Sequence, residues 1–126
     1  MMKIKLKNST TISVLILSDR LMFNAKKLAD YLVTAGIKVI ALTTSKDQAL
    51  KFSDQKIDFL IIVGYLKDSQ NYGIIEEYRE RNISCIAVHW AILDGLINMY
   101  CNKYKIPLQF DRTLPMADFV HFLEQH

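Results

Sequence analysis

The stretch Lys56–Tyr65, KIDFLIIVGY, decides how this chain is read. Its centre, Phe59–Val63, is an unbroken apolar run that stops at Gly64. A strand with one wet face alternates apolar and polar residues. A continuous run of strand length belongs to a strand covered on both faces, as at the centre of a parallel sheet. Four other runs of similar length and Val/Ile content flank it, namely Thr11–Leu17, Lys38–Leu42, Ile83–Val88 and Ile106–Phe110. Ile83–Val88 is nearly as continuous as the central one.

Helical periods fill the gaps. Leu21, Ala25, Leu28 and Leu32 step by four, three and four, which lines one face of a helix, and Gly36 closes it as a left-handed C-terminal residue. Ser45 is placed to cap a short second helix anchored by Ala49 and Leu50. Ile74, Ile75 and Tyr78 mark a third that ends at Asn82, Ala91–Tyr104 reads as the fourth, and Met116, Phe119, Val120 and Leu123 make the fifth, entered through Thr113 and Pro115. Five strand–helix alternations imply an α/β fold, a three-layer (βα)5 parallel sheet with right-handed crossovers and helices on both faces. Pro107 lacks the N–H that a ladder needs, so the fifth strand belongs at an edge. The flavodoxin-like order 2-1-3-4-5 puts it there.

With 126 residues, half of them hydrophobic, the chain suffices for a single domain over its whole length and is too short for two. The sequence leaves open whether residues 1–10 add an extra strand or form a flexible lead-in. Lys3, Lys5 and Lys7 are the one local concentration of a modest +3 charge. Three alternating lysines read as a solvated strand or frayed end rather than as a nucleic-acid tail. Cys85 and Cys101 each sit in apolar surroundings without CxxC spacing and read as buried small hydrophobes. No signal peptide precedes the first strand and no run reaches the length of a membrane span, so a cytoplasmic protein without membrane contact is expected.

In such sheets ligands sit at the carboxyl ends of the strands. Ser18, Asp19 and Arg20 follow the first strand, Thr43, Thr44 and Ser45 the second, Gly64 and Tyr65 the third, His89 and Trp90 the fourth, and Asp111 and Arg112 the fifth. The layout, especially Ala49-Leu50 leading to Lys56–Ile62 (KIDFLII), resembles the response-regulator receiver family over Thr11 to Leu123. The resemblance implies an acidic pair holding Mg2+ after strand one, a phosphoacceptor aspartate ending strand three, a Thr or Ser ending strand four and a Lys ending strand five. This sequence keeps little of that set. Asp19 stands for one acid of the pair, between Ser18 and Arg20. Counted from Asp58, the phosphoacceptor position falls on Val63, or on Gly64 with a one-residue slip. His89 or Trp90 takes the place of the Thr, and Arg112 or Asp111 that of the Lys. A hard divalent cation needs several oxygen ligands, usually more than one carboxylate, so no Mg2+ and no cofactor are expected. An Asp19–Arg112 ion pair is expected in its stead.

The fourth helix is too apolar for one buried stripe. At about 100° per residue, Ile92, Leu93, Leu96, Ile97, Met99, Tyr100, Cys101 and Tyr104 sweep roughly 200°, twice what one face against a sheet requires. The excess is expected to form an interface with a protein partner or a second copy, with Met99, Tyr100 and Tyr104 at its exposed edge, joined by Phe110 and Phe122. Receivers pair through this helix-four, strand-five, helix-five face, so the resemblance implies the same place. The sequence therefore reads as a receiver-like regulatory module that lacks the phosphoacceptor and acts by protein contact, not as an enzyme. The alternative is a small flavodoxin-like ligand-binding domain or enzyme using a mouth of Asp19, His89 and Arg112. Nucleic-acid binding is disfavoured, because the basic residues do not cluster and the fold offers no recognition helix.

Overall fold

The computed structural model describes residues 11–126, so the lead-in with Lys3, Lys5 and Lys7 lies outside the described residues. Five parallel strands, β1 (Ser13–Leu17), β2 (Lys38–Thr43), β3 (Phe59–Val63), β4 (Ile86–Ala91) and β5 (Leu108–Asp111), form one sheet in the order β2-β1-β3-β4-β5. The helices are α1 (Met22–Thr34), α2 (Lys46–Leu50), α3 (Gly73–Glu80, after a 3-10 turn at Ser69–Tyr72), α4 (Gly95–Tyr104) and α5 (Met116–Glu124). This is the three-layer flavodoxin-like arrangement expected, with β5 at the edge and Pro107 just before its first residue.

Alternation along the strands divides the core into two layers. Val14, Ile16, Phe59, Ile61, Val63, Val88 and Trp90 face α1 and α5, where Ala25, Leu28, Leu32, Phe119 and Leu123 meet them. Leu15, Leu17, Leu60, Ile62, Ala87 and Ala91 face the other way, onto Ala49, Ile74, Ile75, Tyr78, Ile97 and Cys101. Every side chain of β1 and β3 is buried, which is why Phe59–Val63 reads as a continuous apolar run. Each fully buried Leu or Ile contributes about 1.5–3 kcal/mol of transfer free energy.

The helix ends follow local chemistry. Gly36, at φ +90°, closes α1 while Ile37 N–H donates to Leu32 O at 2.9 Å, a Schellman-type ending. The Ser45 hydroxyl accepts from Gln48 N–H at 3.2 Å and caps α2. Asn82 and Lys105, both left-handed, end α3 and α4.

The first strand begins at Ser13 rather than Thr11 and the second ends at Thr43 rather than Leu42; three elements depart further from expectation. The fourth strand runs Ile86–Ala91, not Ile83–Val88. Ile83 instead closes α3, its N–H donating to Tyr78 O at 2.9 Å, and packs with Cys85 against the core edge. The fifth strand starts at Leu108 because Ile106 likewise closes α4, with Ile106 N–H to Cys101 O at 2.9 Å. In both cases the apolar residue after a helix C-terminus served a cap, not a ladder. The fourth helix begins at Gly95 rather than Ala91, since the Asp94 carboxylate accepts from Ile97 N–H at 2.9 Å. Ala91 belongs to β4, while Ile92 and Leu93 lie on the connecting loop.

Candidate functional site at the carboxyl ends of the strands

At the head of β3, the Val63 side chain is buried in the layer under α1 and α5, and the backbone turns at Gly64 with φ +68°. Gly64 N–H donates to Trp90 O at 2.9 Å, and a Cβ at this residue would stand 2.8 Å from Leu21 Cδ1. A side chain at 64 thus meets both a left-handed backbone and a leucine. Ser18 is fully buried, its N–H bonded to Thr43 O at 2.9 Å, and its hydroxyl has no hydrogen-bond partner among the described residues.

Asp19 is engaged by the chain itself. Its carboxylate accepts from Lys67 N–H and Asp68 N–H, both at 3.0 Å, and from the Asn71 side-chain amide at 3.4 Å. Asn71 in turn accepts from Lys46 N–H at 2.9 Å. Asp19 therefore staples the loop after β1 to the loop after β3, at the wall of a polar notch shared with Thr44, Ser45 and Lys67. The expected Asp19–Arg112 ion pair is not formed among the described residues. Asn71, which sequence reasoning did not single out, lies in a polar stretch with no periodicity to flag it.

His89 was expected near the strand end, but β4 continues two residues past it. In the ladder it lies opposite Ile62, while Trp90 is level with Val63. The imidazole is fully buried among the side chains under α3 and α4. Nε2 lies 2.8 Å from Gly64 O and 3.1 Å from the Tyr72 hydroxyl, and Nδ1 lies 3.3 Å from Cys101 Sγ. A carbonyl only accepts, so Nε2 carries the proton, and Nδ1 is left to accept from the Cys101 thiol. Burial lowers the His89 pKa to about 4, partly opposed by the bond to Gly64 O. The Tyr72 hydroxyl also accepts from Leu66 N–H at 3.0 Å. Burial raises the Tyr72 phenol above its ordinary range and pushes the Cys101 thiol up to about 11. This is a neutral, interlocked cluster. Tyr72, its organiser, was missed because it sits in the polar stretch DSQNYG rather than in a periodic run.

Arg112 occupies a different place again. With Arg20 it borders a pocket of about 290 Å³ whose other walls are Leu21, Gly64, Tyr65, Ala91, Ile92, Asp94 and Ile97. Arg20 donates to the Tyr65 hydroxyl at 2.7 Å and lies over its ring at 5.3 Å. Arg112 is half-buried, and no side chain among the described residues hydrogen-bonds its guanidinium. Asp19, His89 and Arg112 thus stand in a notch, in the core and in an apolar mouth respectively, and do not converge on one substrate position. Among the described residues no cluster of three His, Cys, Asp or Glu side chains could hold a metal ion.

On α4 the expected exposed edge divides. Met99 is 51% exposed and Ile92, on the loop before the helix, 48%. Tyr100 and Tyr104 are half-buried and stack on Tyr72, with ring centroids 5.1 and 4.5 Å away. Their apolarity is accounted for by that stack. Phe110 is buried and covered by half-buried Phe122, 5.1 Å between centroids. No described helix is long and apolar enough to cross a membrane.

No protein-family model and no curated protein matches the sequence. Solved structures do. A CheY-like receiver domain protein from Methanospirillum hungatei is similar with a TM-score of 0.73 at 11% identity, covering 92% of this chain and 93% of that one. A CheY-like receiver domain from Methylobacillus flagellatus matches with a TM-score of 0.73 at 15% identity, over 92% and 98% of the two chains. The receiver domain of a Francisella response regulator follows with 0.71 at 14% identity, over 91% and 95%. At such identities the likeness speaks for the fold alone, and the fold is that of response-regulator receiver domains.

Proposed function

We propose that this chain is a receiver-fold regulatory module that works by contact with another protein, not by phosphotransfer and not as an enzyme. One observation carries the reading. Asp19, the carboxylate at the position of a receiver's metal-binding acid, already accepts from the amides of Lys67, Asp68 and Asn71, while β3 ends at Val63 and Gly64 follows it. Neither residue offers a side-chain oxygen to a phosphoryl group, and Arg20 and Arg112 border the adjoining pocket. Two guanidinium groups repel a divalent cation and leave no role for Mg2+. A cytoplasmic setting is part of the same proposal.

The contact surface proposed from the sequence is the α4–β5–α5 face, in a homodimer or with a different protein. Exposed Met99 and Leu96 support it, and Ile92 continues it toward the strand ends. Methionine on an unpartnered helix face is a common interface residue.

The test uses two measurements on the full chain. Intact mass after incubation with Mg2+ and acetyl phosphate stays unchanged on this reading; a gain of one phosphoryl group overturns it. Sedimentation equilibrium over a wide concentration range, with wild type and Met99→Glu, reports on the face. Association that Met99→Glu abolishes supports the homodimer, whereas association indifferent to it removes α4 from the interface.

A further inference from the structure

The exposed apolar residues are not spread evenly. Of the ten large apolar residues exposed among the described residues, Tyr31, Val33 and Met99 lie along the helices, but Phe23 (74% exposed), Met22, Tyr65, Ile92, Leu93, Leu96 and Leu114 lie on the loops after β1, β3, β4 and β5 or on the helix turns they lead into. These seven gather at one end of the sheet, the carboxyl end, where the pocket bordered by Arg20 and Arg112 also opens, lined in part by Tyr65 and Ile92. The pocket floor is apolar, from Leu21, Gly64, Ala91 and Ile97. The Asp94 carboxylate at its edge accepts from Ile97 N–H and forms no ion pair with Arg112 among the described residues. A half-buried guanidinium with no ion pair among the described residues, set beside apolar walls, is a site waiting for an anion with an apolar body. Within this chain, residues 1–10 bring three lysines and no carboxylate side chain, so they do not supply that counter-charge.

We propose that this mouth docks an acidic, apolar segment of another protein. A Glu or Asp side chain, or a C-terminal carboxylate, would be received by Arg112 and Arg20, and flanking apolar side chains would rest on Ile92, Leu93, Leu96 and Phe23. The extent of this apolar end favours a polypeptide over a small ligand. A molecule that filled about 290 Å³ would leave Phe23 and Leu114 uncovered. Arg20 is held for the task, since its bond and stacking with Tyr65 fix a flexible side chain before any partner arrives. The inference rests on the reading of the chain as a contact module, but moves its contact from the α4–β5–α5 face to the strand ends.

The experiment titrates the 15N-labelled full chain with acetylated, amidated hexapeptides of Leu and Phe. One carries a single internal Glu, a second carries Gln at that position, and a third ends in a free carboxylate. Phenylbutyrate serves as the small apolar carboxylate. The expected result is binding of the Glu or free-carboxylate peptide, with shifts at Gly64, Ile92, Ile97 and Arg112. The Gln peptide should bind about tenfold more weakly or worse, and Arg112→Gln and the exposed Arg20→Gln should each produce a comparable loss, since a charged hydrogen-bonded pair contributes about that much. Equal binding of Glu and Gln peptides overturns the proposal. So does absence of binding by every peptide at millimolar concentration, or a shift pattern confined to α4 and β5. Phenylbutyrate binding as tightly as the peptides overturns the polypeptide and makes the mouth a small-carboxylate site. Failure here alongside an unchanged mass with acetyl phosphate leaves the contact-module reading standing, whereas a phosphorylated product removes that reading itself.

Discussion

Lowering the pH from 7 to 5 should weaken the fold through one residue, His89. In the folded chain its pKa lies at about 4, against an ordinary 6.5. A histidine with a depressed pKa binds more protons when unfolded than when folded throughout that interval. Its contribution is therefore fully present above pH 6.5 and is lost as the pH falls toward 4. With those two values, linkage gives a loss of about 2 kcal/mol between pH 7 and pH 5, and about 3 kcal/mol once the pH is below both. The cause is visible in the contacts: Nε2–H is committed to Gly64 O, Nδ1 faces the Cys101 sulfur, and no carboxylate stands against the ring to receive a charge. Urea unfolding of wild type and His89→Gln at both pH values isolates the residue, because all other titrating groups are common to the pair. The substitution costs stability at pH 7 through altered packing, but the difference between the two proteins should shrink by about 2 kcal/mol at pH 5. An unchanged difference, or an imidazole carbon resonance of His89 titrating near 6.5, would refute the buried neutral assignment.

Two further substitutions test the loops. Gly64→Ala should destabilise by about 1–2 kcal/mol, the cost of a left-handed non-glycine residue, with any displacement of Leu21 added to it; thermal unfolding measures this, and a neutral result would show that the turn relaxes without strain. Asp19→Ala should cost about 1–2 kcal/mol and accelerate hydrogen exchange at the Lys67 and Asp68 amides; unchanged exchange there would mean that Asp19 does not hold the loop.

The fold was legible because burial dictates composition. Phe59–Val63 is covered on both sides and could not have been written with polar residues. Gly36, Ser45 and Asn82 mark helix ends by chemistry that acts within a few residues and so shows in the sequence. The errors share a cause. Ile83 and Ile106 are apolar because each closes a helix against the core, and a run-length reading cannot separate that from a strand. Ile92 and Leu93 have helical spacing to Leu96 by coincidence, and only the Asp94 cap, three residues before Ile97, betrayed the true start. The site was less legible still. Ser18, Asp19, Arg20, Gly64 and Arg112 follow the strands directly. Whether Asp19 meets Arg112 or the amides of Lys67 and Asp68 depends on the path of a loop some fifty residues away in sequence, which no local pattern encodes.

The contacts also bear on whether such a module could switch. A receiver's phosphorylation biases a surface with two arrangements. Here the strand ends and α4 are tied into one stack. Arg20 rests on Tyr65, Tyr65 is stacked 6.3 Å from Tyr100, Tyr100 lies 5.1 Å from Tyr72, and the Tyr72 hydroxyl meets His89 at 3.1 Å. Each aromatic pair contributes about 0.5–1.5 kcal/mol beyond its burial, and the hydroxyl of Tyr72 is fixed at both Leu66 N–H and His89. Moving Tyr65 away from Tyr100 would break its stacking with that ring and the geometry of Arg20 together. A second arrangement of this surface therefore lies several contacts above the first, and nothing at Val63 or Gly64 can be phosphorylated to offset the difference. On the proposed contact reading, the physical consequence is a surface held ready rather than switched, so regulation would act on the abundance or sequence of the partner that reaches it.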